Sequence, residues 1–445
     1  MQASTAPTST SIEQQLQQAM QQHGAGHLDA ALAMYQGVLA ARPEHPDALH
    51  LSGVLHAQRG RHDDALALIS RAIEVSPREA MFHNNLGNVQ VERGDFDAAE
   101  ASYVRALELD AARLDALNNL GVLMSRRGRA DDAEKLLLKV IELAPDFADA
   151  HQNLASHHMR QGHYTEAVQQ CFDGLIVAPR DGALRRLLGM AYSTMGMNDK
   201  AVEVYRNWLA AEPGNTIARY HLSACTGDAV PERAPDAYVA QVFDSFARSF
   251  DAKLGSLSYQ APALGTQAVA RHLGPPAAAL DVLDAGCGTG LCGPGLAPYA
   301  RRLVGVDLSI GMLAKARLRA CYDELVQGEL VAFLQARPQA FDVIVSTDTL
   351  NYFGLLDACA AAAAAALRRG GLFVFTLEAH ADDDGAAVGH RLHGHGRYSH
   401  RRAYVVAVLE DAGFDVTEMQ QVVLRMEAGE PVNGWLVSAT VGRKT

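Results

Sequence analysis

Aromatic residues are scarce in this chain of 445: they make up 6% of it, against 49% hydrophobic residues overall. Its interior must therefore be filled mostly by small and aliphatic side chains, and alanine is abundant. Basic charge is also in deficit, with 39 Lys and Arg against 51 Asp and Glu and a net charge of −12. Residues 1–225 carry 20 basic and 27 acidic side chains and the rest 19 and 24. Neither half has the surplus that a general nucleic-acid binder shows. The six cysteines (Cys171, Cys225, Cys287, Cys292, Cys321, Cys359) contain no C-x-x-C pair. A chain this long needs no disulfide staples, so a reducing compartment, the cytoplasm, is expected. No run of about 18 apolar residues occurs, which disfavours a membrane span. The opening MQASTAPTSTSIEQQLQQ lacks a basic start and an apolar stretch, which disfavours a cleaved secretion signal. At roughly 100–200 residues per domain, two domains or an elongated array are expected.

What is there, first, is a period of 34. Glycine recurs at Gly26, Gly60, Gly94, Gly128, Gly162 and Gly196, and alanine at Ala31, Ala65, Ala99, Ala133, Ala167 and Ala201. Proline follows the same period at Pro43, Pro77, Pro145, Pro179 and Pro213, and is missing only at Ala111. Each unit reads as a helix, a glycine turn, a second helix, and a proline that starts the next connection because it cannot sit mid-helix. The alanine allows two helices to cross closely. Tyr35, Tyr103 and Tyr205 lie four positions further on, on the same helix face. The array resembles tetratricopeptide repeats, with six units over residues 12–215 and a half-unit at Ile217–Cys225. The resemblance implies a groove, lined by the first helix of each unit, that holds a protein or peptide. Asn85, Asn119 and Asn153, again 34 apart, are its candidate contacts. Asparagine is also common at this position of the repeat, which leaves a plain consensus reading open.

The period ends at GDAVPERAP, residues 227–235, where two prolines mark a boundary. The expected organisation is a tail over 1–11, the array with its capping helix over 12–225, a linker over 226–235, and a second domain over 236–445. In that domain short apolar runs (LDVLDAG, LVGVD, FDVIVS, GLFVFTL) alternate with helical stretches, including an alanine helix over Asp357–Arg369 that ends at Gly370 and Gly371. This is the grammar of a parallel sheet covered on both faces. Two long strand-like segments at the end of the chain suit an antiparallel hairpin.

The chemical motif is Asp284-Ala-Gly286-Cys-Gly288-Thr-Gly290, placed where the first strand turns into its helix. A dinucleotide fingerprint puts its third glycine at 291, which here is Leu291, and has no acid before the first glycine. Asp307 ends the next strand, 21 residues after Gly286, well placed for a ribose. VLDAGCGTG and VGVDLS together resemble class I S-adenosylmethionine-dependent methyltransferases over about residues 236–445. The order of the chain resembles a group of predicted bacterial methyltransferases with tetratricopeptide repeats.

The resemblance implies an all-α solenoid followed by a Rossmann-like α/β domain, with a seven-stranded, mostly parallel sheet closed by an antiparallel hairpin. S-adenosyl-L-methionine is the implied cofactor. Its methionine part falls on Asp284, Gly286, Gly288 and Gly290, its ribose on Asp307, and its adenine on Leu308, Met312 and Glu329. The stretch VFDSFARSFDAKLGSLSYQAP resembles a substrate cap, with Phe243, Phe246, Phe250 and Tyr259 as candidate walls.

Methyl transfer from a sulfonium is a single in-line displacement, so no covalent catalyst is required and alignment dominates. A protonated oxygen or nitrogen acceptor needs a base near the carboxyl ends of the strands. Asp348, Asn351 and Tyr352 follow strand four, and His380, His390, His393, His395, Arg397, Tyr398 and His400 follow strand five. Asp348, Tyr352 and His400 are the catalytic candidates, and Tyr259 and Arg397 the substrate-facing ones. Cys287 and Cys292 read as packing residues, and no metal is expected at the histidines. Two rival readings are an interaction scaffold that binds the cofactor without turnover and, disfavoured by the glycine spacing, an NAD(P)-dependent oxidoreductase. The substrate, a protein or a small molecule, is not fixed by the sequence, nor is the oligomeric state.

Overall fold

A computed structural model describes residues 11–247, 250–251, 254, 257–380, 389–427 and 429–442, the side chains of Ser245 and Phe246 excepted. It divides into two compact units, one running to residue 157 and the other from residue 158 onward. The division falls inside the helix Ala148–Gln161, which opens the fifth repeat by the sequence period. The second unit therefore contains the last repeats and the α/β domain together.

The repeat pattern is realised helix by helix. Second helices start at Leu28, His62, Phe96, Ala130, Tyr164 and Asn198, each 34 residues after the last. Gly26, Gly60, Gly94, Gly128, Gly162 and Gly196 all adopt positive φ, between 72° and 89°, where a side chain would be strained. The six period alanines are completely buried. The half-unit is the helix Thr216–Thr226, capped by the Asn215 side chain, which accepts from the Ala218 N–H.

In the α/β domain β1 (Leu280–Ala285), β2 (Ala300–Asp307), β3 (Glu324–Gln327), β4 (Phe341–Ser346) and β5 (Leu367–Ala379) run parallel in the order β3-β2-β1-β4-β5. The hairpin of β8 (Phe414–Glu427) and β9 (Glu430–Val441) adds antiparallel to β5 through β9. Two strands of three residues, β6 (His390–Leu392) and β7 (Tyr398–His400), pair beside the end of β5 and bring the sheet to nine strands, against the seven expected. Strands this short, in a glycine- and histidine-rich stretch, carry no alternating pattern to betray them. The expected helix Asp357–Arg369 stops at Ala366, and the chain enters β5 before the glycine pair, with Gly370 at φ 73°.

Neighbouring residues along the central strands enter opposite cores, so these strands read as continuous apolar runs. Leu283, Ile344, Phe373 and Phe375 face one side, where the alanines of Asp357–Ala366 let the helix lie close to the sheet. Val282, Val343, Val345 and Val374 face the other, against Ala268 and Leu296. The connecting segment is pinned: Ala234 N–H donates to the Tyr352 carbonyl at 2.7 Å, Gly354 and Leu355 donate to Glu232, and Tyr398 donates to the Pro231 carbonyl at 2.6 Å. Among the described residues no helix is long and apolar enough to cross a membrane.

Candidate active site

The carboxyl ends of β1, β2 and β4 open onto a cavity of about 290 Å³. Gly286 and Gly288 line it with main chain. At Gly288, φ 54°, an added Cβ would meet nothing within 4 Å. The Gly288 N–H donates to Asp307 Oδ2 at 2.9 Å, so the strand-end carboxylate and the loop hold each other. Burial pushes the Asp307 carboxyl above its ordinary range, against the backbone N–H groups of Ser309 and Gly288. Leu308 and Glu329 also line the cavity, and both Glu329 oxygens cap the helix Leu330–Gln335 by accepting from Val331 and Ala332.

Three residues expected at the cofactor do not line the cavity. Asp284 is 1% exposed and takes the Tyr322 hydroxyl at 2.6 Å. Its carboxyl is pushed up to about 7, by burial first, opposed by the Tyr322 hydrogen bond. Gly290 is drawn against Tyr322 and Arg319, and Met312 is buried in the first turn of the helix Ile310–Leu318. Each sits one layer behind the surface on which the resemblance placed it.

The other half of the cavity is lined by Phe243, Phe250, Tyr259, Tyr352 and four charged side chains, Asp348, Arg397, Arg425 and Glu427. Phe246 lies outside the described side chains. Asp348 lines the cavity and holds a left-handed backbone, φ 56°, which a non-glycine residue adopts at a cost of about 1–3 kcal/mol. Its N–H donates to Thr376 Oγ1, and its two oxygens accept from Asn351 and from Arg425 Nη1, both at 2.9 Å. Burial raises its pKa, with Arg425 pulling the other way. Burial likewise raises the phenols of Tyr259 and Tyr352.

Behind Asp348 stands a cluster of opposed charges that the sequence reading missed. Arg425, 4% exposed, reaches Asp348, Glu378 and, at 2.7 Å, Glu427. Arg397 donates to Glu378 at 2.5 Å and to both oxygens of Glu427 at 2.8 Å. For Glu378 burial is the largest influence and acts upward, but Arg397 and Arg425 together outweigh it and take the carboxyl down to about 2. Buried charges in contact stand only as a fully hydrogen-bonded set. The one hint in the sequence was an arginine inside the apolar run VVLRME.

His400 is not at the site. It is completely buried, bonds the Gly354 carbonyl at 3.2 Å through Nε2, and stacks on Tyr404. Position at a strand end says nothing of the direction a side chain takes. His393 bonds Ser399 Oγ at 2.7 Å and stacks on His395, and neither they nor His380 and His390 line the cavity. Among the described residues no cluster of metal-ligating side chains occurs. The asparagine positions are half-buried and bonded within the array: Asn119 donates to Asn84 and Asn88, Asn153 to Asn118 at 2.9 Å, and Asn85 contacts His50 at 2.8 Å.

The family model for a methyltransferase domain matches residues 283–375, from β1 through the middle of β5. Models for the tetratricopeptide repeat match 16–82, 78–146, 125–183 and 183–216. The chain carries a methyltransferase domain behind tetratricopeptide repeats. Methyltransferase-like protein 27 of Homo sapiens is 34% identical over 119 residues, 26% of this chain and 47% of that protein. An 18S rRNA (guanine-N(7))-methyltransferase of Bos taurus is 34% identical over 71 residues, 16% of this chain and 25% of that one. The chain thus spans less than half the length of either relative. A solved structure assigned as an S-adenosylmethionine dependent methyltransferase, from Listeria monocytogenes, is 21% identical, covering 41% of this chain and all of that one at a TM-score of 0.33. S-adenosylmethionine is the cofactor of such a domain. The methyltransferase domain has a cradle that fits it: glycine main chain lining the cavity at 286 and 288, with open space where a Cβ on Gly288 would stand, beside a carboxylate at 307.

Proposed function

We propose that the domain over 236–445 transfers a methyl group from S-adenosylmethionine to an oxygen or nitrogen nucleophile, and that the repeats over 12–225, joined through 226–235, dock a protein or peptide. One observation carries the first part: Gly286, Gly288 and Asp307 line the same cavity as Asp348 and Tyr352. When bound, the cofactor supplies a sulfonium-activated methyl group. The chain's own residues hold the acceptor among Phe243, Phe250, Tyr259 and Tyr352, exclude water there, and take the acceptor's proton on Asp348. Asp307 holds the ribose, and Leu308 and Glu329 flank the adenine. The six free cysteines support a reducing, cytoplasmic location.

The test measures S-adenosylhomocysteine affinity by calorimetry and transfer of labelled methyl from S-adenosylmethionine into a cell extract split into protein and small-molecule fractions. The wild type is expected to bind and transfer. Asp348→Asn is expected to bind within about twofold and to transfer about 100-fold more slowly, the lower end of general-base effects. Tight binding with no transfer by the wild type sinks the enzymatic reading in favour of a cofactor-binding scaffold.

A further inference from the structure

The turn over 393–397, between β6 and β7, ends in Arg397, which lines the cavity and holds Glu378 and Glu427. The carbonyls of this turn are held from a different part of the sequence. In the helix Thr216–Thr226, Tyr220 Oη donates to the Gly396 carbonyl at 3.1 Å and His221 Nδ1 meets the Gly394 carbonyl at 3.0 Å. The approach is close. A Cβ on Gly394 would stand 2.2 Å from Ser193 Oγ, and one on Gly396, φ 85°, would stand 2.4 Å from Tyr238 Oη.

Both clamp residues are built in. Tyr220 is 2% exposed and packs with Tyr238, Leu392 and Tyr398. His221 is 1% exposed and stacks on Tyr205 at 5.3 Å. Burial, with Arg186 adding to it, pushes the imidazole down to about 4, so it is neutral and has one N–H. The Gly394 carbonyl accepts only, which assigns that proton to Nδ1 and leaves Nε2 facing the Tyr238 hydroxyl, 3.5 Å away.

We propose that Tyr220 and His221, which the 34-residue period assigns to the end of the repeats, are positioning residues of the acceptor site. They fix the 393–397 turn, the turn places Arg397, and Arg397 with Arg425 sets the carboxylates around Asp348. The repeats are then part of the catalytic unit's wall as well as a docking surface. This rests on the acceptor-side reading given above.

The experiment compares full-length wild type with Tyr220→Phe/His221→Leu, which keeps ring and bulk but removes both donors. Tyr220→Phe/His221→Asn returns one N–H near the place of Nδ1. S-adenosylhomocysteine affinity is expected within about twofold in all three. Hydrogen exchange of the amides over 393–398 is expected at least about tenfold faster in the Leu variant, unchanged over 302–307, and largely restored by Asn. Methyl transfer into the extract is expected to fall about tenfold with Leu and to recover with Asn. Unchanged exchange over 393–398, or a parallel loss of S-adenosylhomocysteine affinity, overturns the proposal. A wild type that transfers no methyl overturns the enzymatic reading instead, and the local exchange pattern still decides whether these residues hold the turn.

Discussion

On one side of the cavity the lining comes from the glycine loop over 286–289 and from Asp307 at the end of β2, whereas the other side combines the rings of Phe243, Phe250, Tyr259 and Tyr352 with charged side chains from β8, the end of β4, and the turn before β7. The first arrangement is local and needs glycine, a strand end and little else. The second exists only while distant segments stay in register, since each of its charges is neutralised by a residue from another segment. A main-chain cradle survives changes in its neighbours, while a charge cluster fails as a whole when one member is removed.

The largest effect expected on that contrast comes from Asp307→Ala, which removes the carboxylate that lines the cavity at the end of β2. Two hydroxyl hydrogen bonds to a charged group, at about 1.5–3 kcal/mol each, put the loss of S-adenosylhomocysteine affinity above about 100-fold. Calorimetry checks this, and unchanged affinity breaks the ribose assignment. Next is Arg425→Met, which strands Glu378 and Asp348 without their shared cation. A loss of about 3–5 kcal/mol in denaturant unfolding is expected. A loss under about 1 kcal/mol shows that the cluster is not cooperative.

The smallest effect sharpens the comparison through pH. Asp284 has a pKa near 7 in the folded chain, well above its ordinary value of 3.8. Its contribution to stability is therefore full below about 4 and is lost as pH rises through about 7. Asp284→Asn stays neutral, so its Tm relative to wild type is expected to rise between pH 5 and pH 8. Parallel curves for the two proteins show that this carboxyl does not titrate there.

Much of the molecule was legible because its information is local. The period of 34 foretold the six glycine turns from Gly26 to Gly196 and the six buried alanines from Ala31 to Ala201, since each sits within its own helix pair. The place of the glycine loop after β1 and of Asp307 at the end of β2 was legible for the same reason: a motif and a strand end fix them. Asp284, Gly290 and Met312 were assigned one layer too far forward, because spacing gives the element and not the depth. His400 failed through direction, and Arg425 and Glu378 were missed because they lie in strands that read as apolar. The asparagine ladder was visible as a period, and in the folded array Asn119 and Asn153 donate to neighbouring asparagines.

The sequence by itself determined the repeats, the parallel sheet and the glycine loop that follows its first strand, because helix pairing, strand alternation and glycine conformation are decided over a few residues. Only the tertiary structure decided which charges meet around Asp348 and that Tyr220 and His221 grip the turn carrying Arg397. Those contacts join residues up to 176 positions apart. Burial makes them strong, and burial is a property of the folded whole.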